Sequence, residues 1–410
     1  MPEFFHVLPP DEALAKLFEH LTSTPQSETI HIADALDRVT TESIRASVSI
    51  PSFPRSTMDG YAVIARDTFG ASQTLPAYLT VIGEVPMGAA PNFDLKPTQA
   101  ALVHTGGMIP NGADAVVMIE VTQRTHENEI EVMKAVAPNE NILRIGDDIG
   151  EGDEVVSTGH ILRAQDLGGL AALGVTQIKV ARKPRIALLA TGDEVVSPES
   201  DVAEGQIRDV NSYAVAGQII RAGGIPVRCG IAPDQFDQLK SKAAQALSGC
   251  EALVLSAGSS VSVRDMTADV INQLGKPGML VHGVAVKPGK PTILAVADGK
   301  PVIGLPGNPV SAMVCADLFV VPMIYRLLGC KTAPTNRSVH LKVTHNVASQ
   351  AGRVDYVPAR IIKRSGEDWV EPIFGKSNQI FTLVFADGMI IIERDSNGVQ
   401  TGEIVEIRLF

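Results

Sequence analysis

In the run STMDGYAV, residues 56–63, a single carboxylate, Asp59, stands between Met58 and Gly60 at the head of an apolar stretch. A turn acid before a strand is the plain reading, and chemistry is the sharper one. Three further loops carry residue types suited to anions: ATGDEVV (190–196), SAGSSVSVRD (256–265) and GLPGNPVSA (304–312). Each follows an apolar run and offers Gly or Ser where a strand would pass into a helix. Backbone N–H groups and a helix N-terminus at such a junction form an anion cradle. The run VKPGKP adds Lys287 and Lys290. Acids stand near these loops: Asp148, Glu194, Asp234 and Asp265. Phosphate chemistry commonly uses such acids to hold Mg²⁺ between oxygens. Each glycine loop alone is more often an ordinary turn, and each acid competes with an N-cap reading. Three such loops at one sheet edge shift the balance toward a pocket for a phosphorylated or otherwise anionic compound. His104 lies beside apolar residues and reads as a satisfied core or surface imidazole.

Positioning these groups requires a sheet. RIALLA, PVRCGIA, CEALVLSAG, MLVHGVAV and KPVIGLPG read as buried strands. They alternate with helical runs, NSYAVAGQIIRAGG, DQFDQLKSKAAQALSG, RDMTADVINQLG and the long NPVSAMVCADLFVVPMIYRLLG. Strand–helix alternation predicts a mostly parallel sheet with helices on both faces, and ligands then bind beyond the carboxyl ends of its strands. Asn211 or Ser212 is expected to cap the first of these helices and Asp11 the N-terminal LPPDEALAKLFEHL. Short strands separated by turn residues fill 51–146 and recur after Lys331. The expected fold is multidomain α/β. It comprises a helical and linking domain (1–50 plus 147–182), a β-rich domain (51–146), a central α/β domain (183–331) and a small C-terminal β domain (332–410).

Composition narrows the function classes. A chain of 410 residues exceeds one compact core. Its net charge of −11 argues against general nucleic-acid binding, yet leaves room for an anion held by a few local Lys or Arg. The start lacks a basic region followed by an apolar one, which predicts no secretory signal. No apolar run is expected to reach the roughly 18–20 residues that span a bilayer. Four cysteines without C-x-x-C spacing read as free thiols in a reducing cytoplasm. No nucleotide fingerprint, G-x-S-x-G or H-E-x-x-H occurs.

Taken together, STMDGYAV, HTGGMIPNGADAVVMIE, GDDIGEGDEV, RIALLATGDEVV, GQIRDVNSYAVAGQIIRAGG, VAVKPGKP and GLPGNPVSA resemble the molybdopterin molybdenumtransferase family, MoeA type, related to the C-terminal region of gephyrin. The runs follow the family's order across most of 52–321. The resemblance implies a molybdopterin-binding α/β domain in an elongated four-domain subunit, and a cytoplasmic homodimer with its cleft between the α/β domain of one copy and the β-rich domain of the other. It implies molybdenum insertion into adenylylated molybdopterin, with Mg²⁺-dependent pyrophosphate cleavage and AMP release, and molybdate as substrate. A molybdopterin adenylyltransferase is an implied partner; no nucleic acid and no membrane are.

Carried over position by position, the resemblance implies catalytic roles for Asp59, Asp148, Glu194, Asp234 and Asp265, with Asp59, Asp234 and Asp265 as metal ligands. It places Thr105, Ser256, Gly258, Ser260, Lys287, Lys290, Pro306, Gly307, Asn308, Pro309 and Ser311 in substrate binding. Two stretches depart from the pattern. In SAGSSVSVRDM, Ala257 and Ser262 replace glycines, Val263 an acid and Met266 a tyrosine; in NILRIGDD, Leu143 stands where Arg is usual. These departures would fit a divergent paralogue with altered oxyanion use, such as tungstate, or weak activity, which is the alternative expectation to molybdenum insertion. A dimeric scaffold that binds a partner protein is a third expectation.

Overall fold

The strand Arg185–Thr191 shows why the central sheet forms. Its alternate side chains enter two different cores: Ile186 and Leu188 join one apolar cluster, Ala187 and Leu189 another. A strand that is apolar on both faces must be covered on both faces. The helices Asn211–Arg221 and Pro309–Cys315 pack in the first cluster, Phe236–Ser248 and Val261–Asn272 in the second. Each fully buried Leu or Ile in these layers contributes about 1.5–3 kcal/mol. In this computed structural model, which describes residues 7–21, 24–257, 261–334 and 337–410, the side chains of 257 and 261–265 are outside the description.

The six strands run in the order Ile225–Ala232, Arg185–Thr191, Ala252–Ala257, Lys300–Pro306, Ile293–Ala297, Pro277–His282. The first four are parallel neighbours, and the last two join antiparallel. A mostly parallel sheet with helices on both faces is therefore present as expected. A second six-stranded sheet holds Val286–Lys287 at one edge, paired to Val354–Arg364. An additional pairing of Val354–Arg364 with Gly388–Ile392 closes its other five strands into a ring. Both sheets belong to one compact unit, Met1–Glu42, Thr158–Arg163 and Gln177–Phe410.

The other unit comprises Ser43–Ser157 and Ala164–Thr176. Its sheet runs Ala115–Met118, Gly60–Val63, Gln99–Val103, Ala77–Glu84, Glu129–Val132, Thr122–His126. Gly60–Val63 is buried along its whole length. Gly60 lets it approach its neighbour: a Cβ there would sit 2.0 Å from the Val117 carbonyl oxygen.

Several local expectations are corrected. Asp11 is not the cap of the first helix, which starts at Pro10; proline suits a first position, where no N–H is needed. Neither Asn211 nor Ser212 caps its helix: the Asp209 carboxylate accepts the Ser212 N–H at 3.0 Å, and Asn211 turns inward. A helical stretch long and apolar enough to cross a membrane does exist at Pro309–Leu327, with a mean hydropathy of 1.7. It includes a π-helical turn, Ala316–Val320, and Phe319, Met323 and Ile324 are fully buried in the central core.

Candidate functional site

Asp59 precedes the buried strand Gly60–Val63. Its Oδ1 accepts the Thr105 N–H at 2.8 Å and the Thr105 hydroxyl at 3.2 Å. The backbone bond, above all, holds its carboxyl below the ordinary range; desolvation opposes it, and the Thr105 hydroxyl and His104 add to the lowering. The side chain is 62% exposed, so the anion faces outward from a fixed base. His104 has Nδ1 3.8 Å from Asp59 and Nε2 2.9 Å from Glu84 Oε1. It is satisfied, as the sequence suggested, and its partners also orient it beside Asp59. Asp148 lies in the same unit, exposed, with its N–H donating to Ile50.

In the other unit, Thr191 ends its strand by donating its hydroxyl to Asp234 Oδ1 at 2.8 Å, and Asp193 Oδ1 accepts the Asp234 N–H. Glu194 folds over Gly192, whose φ is +144° and whose Cβ position is 2.8 Å from Glu194 Oε2. The Asn211 amide, 7% exposed, donates to Ser256 Oγ and to the Gly307 carbonyl, each at 2.8 Å. One side chain thus joins the ends of two neighbouring strands, while its Oδ1 is buried without a partner. Asp265 lies on the helix Val261–Asn272, its side chain outside the description. Gly258 and Ser260 lie outside the described residues.

A cavity of about 1130 Å³ gathers another part of the expected set. Lys287, Lys290, Pro306, Asn308 and Ser311 line it together with Arg353, Lys376 and Arg394 from the C-terminal sheet region. Five cations thus face one lining carboxylate, Asp355, in a chain whose net charge is negative. Asp355 is 2% exposed; Arg353 Nε is 2.9 Å from its Oδ1 and Lys287 Nζ 3.3 Å from its Oδ2. Ser377 closes the wall: its hydroxyl accepts from Asn308 Nδ2 at 3.0 Å, and its carbonyl accepts the Val310 N–H. Pro309 occupies the first turn of the helix between them. Beneath the lysines, Gly289 has φ +123°, and a Cβ there would fall 2.2 Å from Cys315 Sγ. Buried Thr292 donates its hydroxyl to Gly289 O at 2.7 Å and to Cys315 Sγ at 3.0 Å. Burial pushes the Cys315 thiol up to about 12.

As expected, the strands that lead into the three loops, Arg185–Thr191, Ala252–Ala257 and Lys300–Pro306, are parallel neighbours, so their carboxyl ends share one sheet edge. The 304–312 and VKPGKP loops share the cavity, whereas Glu194, Asp234, Ser256, Gly307 and Pro309 do not line it. The strands that lead to Glu194 and Asp234, Arg185–Thr191 and Ile225–Ala232, stand at one end of the strand order, and Pro277–His282, which precedes the VKPGKP run, at the other. Sequence reasoning missed Asn211, taken for a cap, and the contributions of Arg353, Asp355, Lys376, Ser377 and Arg394. These five are scattered through strands and loops without a common spacing. No group of three or more His, Cys, Asp or Glu able to hold a metal occurs among the described residues. Mg²⁺, however, takes only one or two carboxylates when substrate phosphates supply its other oxygens. An exposed carboxylate held ionised, as Asp59 is, fits that use.

Residues 8–174 match the profile of the MoeA N-terminal region (domain I and II), 187–326 that of a probable molybdopterin binding domain, and 340–410 that of the MoeA C-terminal region (domain IV). A Methanocaldococcus jannaschii protein named for molybdopterin biosynthesis is 35% identical, covering 96% of this chain and 95% of its own. The molybdopterin molybdenumtransferase of Haemophilus influenzae is 31% identical over 98% of each chain. The crystal structure of the molybdopterin biosynthesis moeA protein from Pyrococcus horikoshii OT3 superposes with a TM-score of 0.85 at 30% identity, covering 98% of this chain and 100% of that one.

Proposed function

Because this chain belongs to the MoeA family of molybdopterin molybdenumtransferases, we propose that it inserts molybdenum from molybdate into adenylylated molybdopterin, with AMP as the leaving product. The observation that carries this reading is the cavity with five cations facing one carboxylate, walled by the VKPGKP and GLPGNPVSA loops. Lys287 and Lys290 offer N–H donors to a tetrahedral oxyanion, and Ser311 offers a buried hydroxyl beside them. Ser377, Asn308 and Val310 fix the wall before substrate arrives, so the donors need little reorganisation. In the adenylyl pyrophosphate, the P–O–P bond is cleaved by water; AMP takes one phosphate and the pterin side chain keeps the other.

Asp59, ionised and anchored by Thr105, is the acid best prepared to meet that pyrophosphate. Asp148, Glu194, Asp234 and Asp265 complete the proposed acidic set, and Ser256, Gly258, Ser260, Gly307 and Pro309 the binding loops. Mg²⁺ held by Asp59, Asp234 and Asp265 would neutralise charge on the phosphate oxygens. The enzyme acts in this reading as a homodimer, as the family resemblance implies. We place the enzyme in the cytoplasm, where the dithiolene and its four free cysteines stay reduced, downstream of a molybdopterin adenylyltransferase. No side chain among the described residues favours tungstate or a scaffold role over this reaction.

The test is AMP release from adenylylated molybdopterin with molybdate and Mg²⁺, scored together with active cofactor formed. Wild type should release AMP only when all three are present, and Lys290→Ala should lower the yield by on the order of tenfold or more. Tight substrate binding with no AMP release would sink the reading.

A further inference from the structure

Resting on that reading of the cavity, we propose that Phe374 is a stacking platform for the flat heterocycle of the substrate, its pterin or its adenine. At about 1130 Å³ the cavity holds far more than one oxyanion and suits a ligand of drug size. Phe374 lines it and yet leaves 62% of its surface exposed. Its loop is pinned on both sides. Ile373 donates its N–H to Pro358 O at 2.7 Å, and Ser377 accepts from Asn308 and Val310. Gly375 is similarly confined, since a Cβ there would lie 2.5 Å from Thr382 Cγ2. An exposed ring on a pinned loop, in a cavity lined by Lys287, Lys290 and Lys376, fits a ligand that is flat and aromatic at one end and anionic at the other. An aromatic face accepts any heteroaromatic ring, because stacking needs a π-surface rather than a donor pattern.

The test compares wild type with Phe374→Ala and Phe374→Trp, and with Phe381→Ala as a control, an exposed phenylalanine that does not line the cavity. Phe374→Ala should raise KM for adenylylated molybdopterin roughly tenfold and leave kcat and the KM for molybdate within about twofold. Phe374→Trp should restore the wild-type KM, and Phe381→Ala should match wild type. Calorimetric titration with AMP and, separately, with a free pterin then shows which ring stacks: the affinity of that ligand alone should fall roughly tenfold in Phe374→Ala. Unchanged KM and unchanged affinities in Phe374→Ala, or no rescue by tryptophan, overturn the proposal. Wild-type enzyme that releases no AMP while Phe374→Ala still weakens one ligand would overturn the function and leave the platform standing. Turnover without any Phe374 effect would do the reverse, and the absence of both turnover and ligand binding would remove both.

Discussion

Asp59 is held below the ordinary carboxylate range chiefly by one neighbour. The Thr105 N–H binds only the ionised form well, so the folded pKa lies below the ordinary value of 3.8. A depressed carboxyl contributes stability that is present above the unfolded pKa and disappears as pH falls through the folded one. Carboxyl-carbon NMR should accordingly show Asp59 still ionised at pH values where exposed aspartates have begun to protonate. Thr105→Ala removes the hydroxyl but keeps the stronger backbone bond, so most of that shift should persist. Asp59→Asn, by contrast, should lower kcat by on the order of 100-fold with the fold intact, as circular dichroism would verify. Wild-type turnover in that variant would remove Asp59 from the chemistry. The sequence showed the acid and its odd placement, but not its anchor. Thr105 is 46 positions away, and only strand pairing brings it alongside.

Elements decide which loops can meet. Alternating strands and helices were legible because each run carried its own period, and the parallel core follows from that pattern. The caps were misread because several polar residues crowd each helix start, and the chain could choose among them only by tertiary contact. Asn211 is the clearest case: its amide serves two strand ends instead of its own helix. The VKPGKP loop is set by packing beneath it. Gly289→Ala should destabilise the protein by about 3 kcal/mol in urea unfolding, because the methyl meets Cys315 and the backbone conformation is unfavourable for an L-residue. It should also raise the KM for molybdate. Combining it with Cys315→Ala should recover part of the loss, and strict additivity of the two effects would show that the sulfur is not the obstacle. Buried as it is, Cys315 should resist iodoacetamide at pH 8 until the protein unfolds.

At the scale of the whole molecule, charge is unevenly spent: −11 overall, yet five cations against one acid around the cavity. Oxyanion binding should therefore weaken as salt rises, which equilibrium dialysis of molybdate at two ionic strengths would measure. If the acids of one copy serve the cavity of another, Asp59→Asn and Lys290→Ala proteins should complement each other on mixing. Random exchange makes half the dimers mixed, each with one intact site, so about a quarter of wild-type turnover should return. No recovery despite subunit exchange would place a complete site within one chain. The C-terminal share of the cavity was the least legible part. Its residues come from different strands and loops of a region whose sequence showed only alternation, and the closure of that sheet gathers them.

Asp355 is a resident competitor for the ligand. It already holds Lys287 and Arg353, so an arriving dianion competes for those two cations with a carboxylate 2% exposed. Entry becomes an exchange of partners, and on departure the same carboxylate is waiting to reclaim its cations. A cavity built in this way favours passing an oxyanion onward over storing it. Asp355→Asn should hold molybdate more tightly and release it more slowly, and a stopped-flow chase with unlabelled oxyanion would read the difference directly.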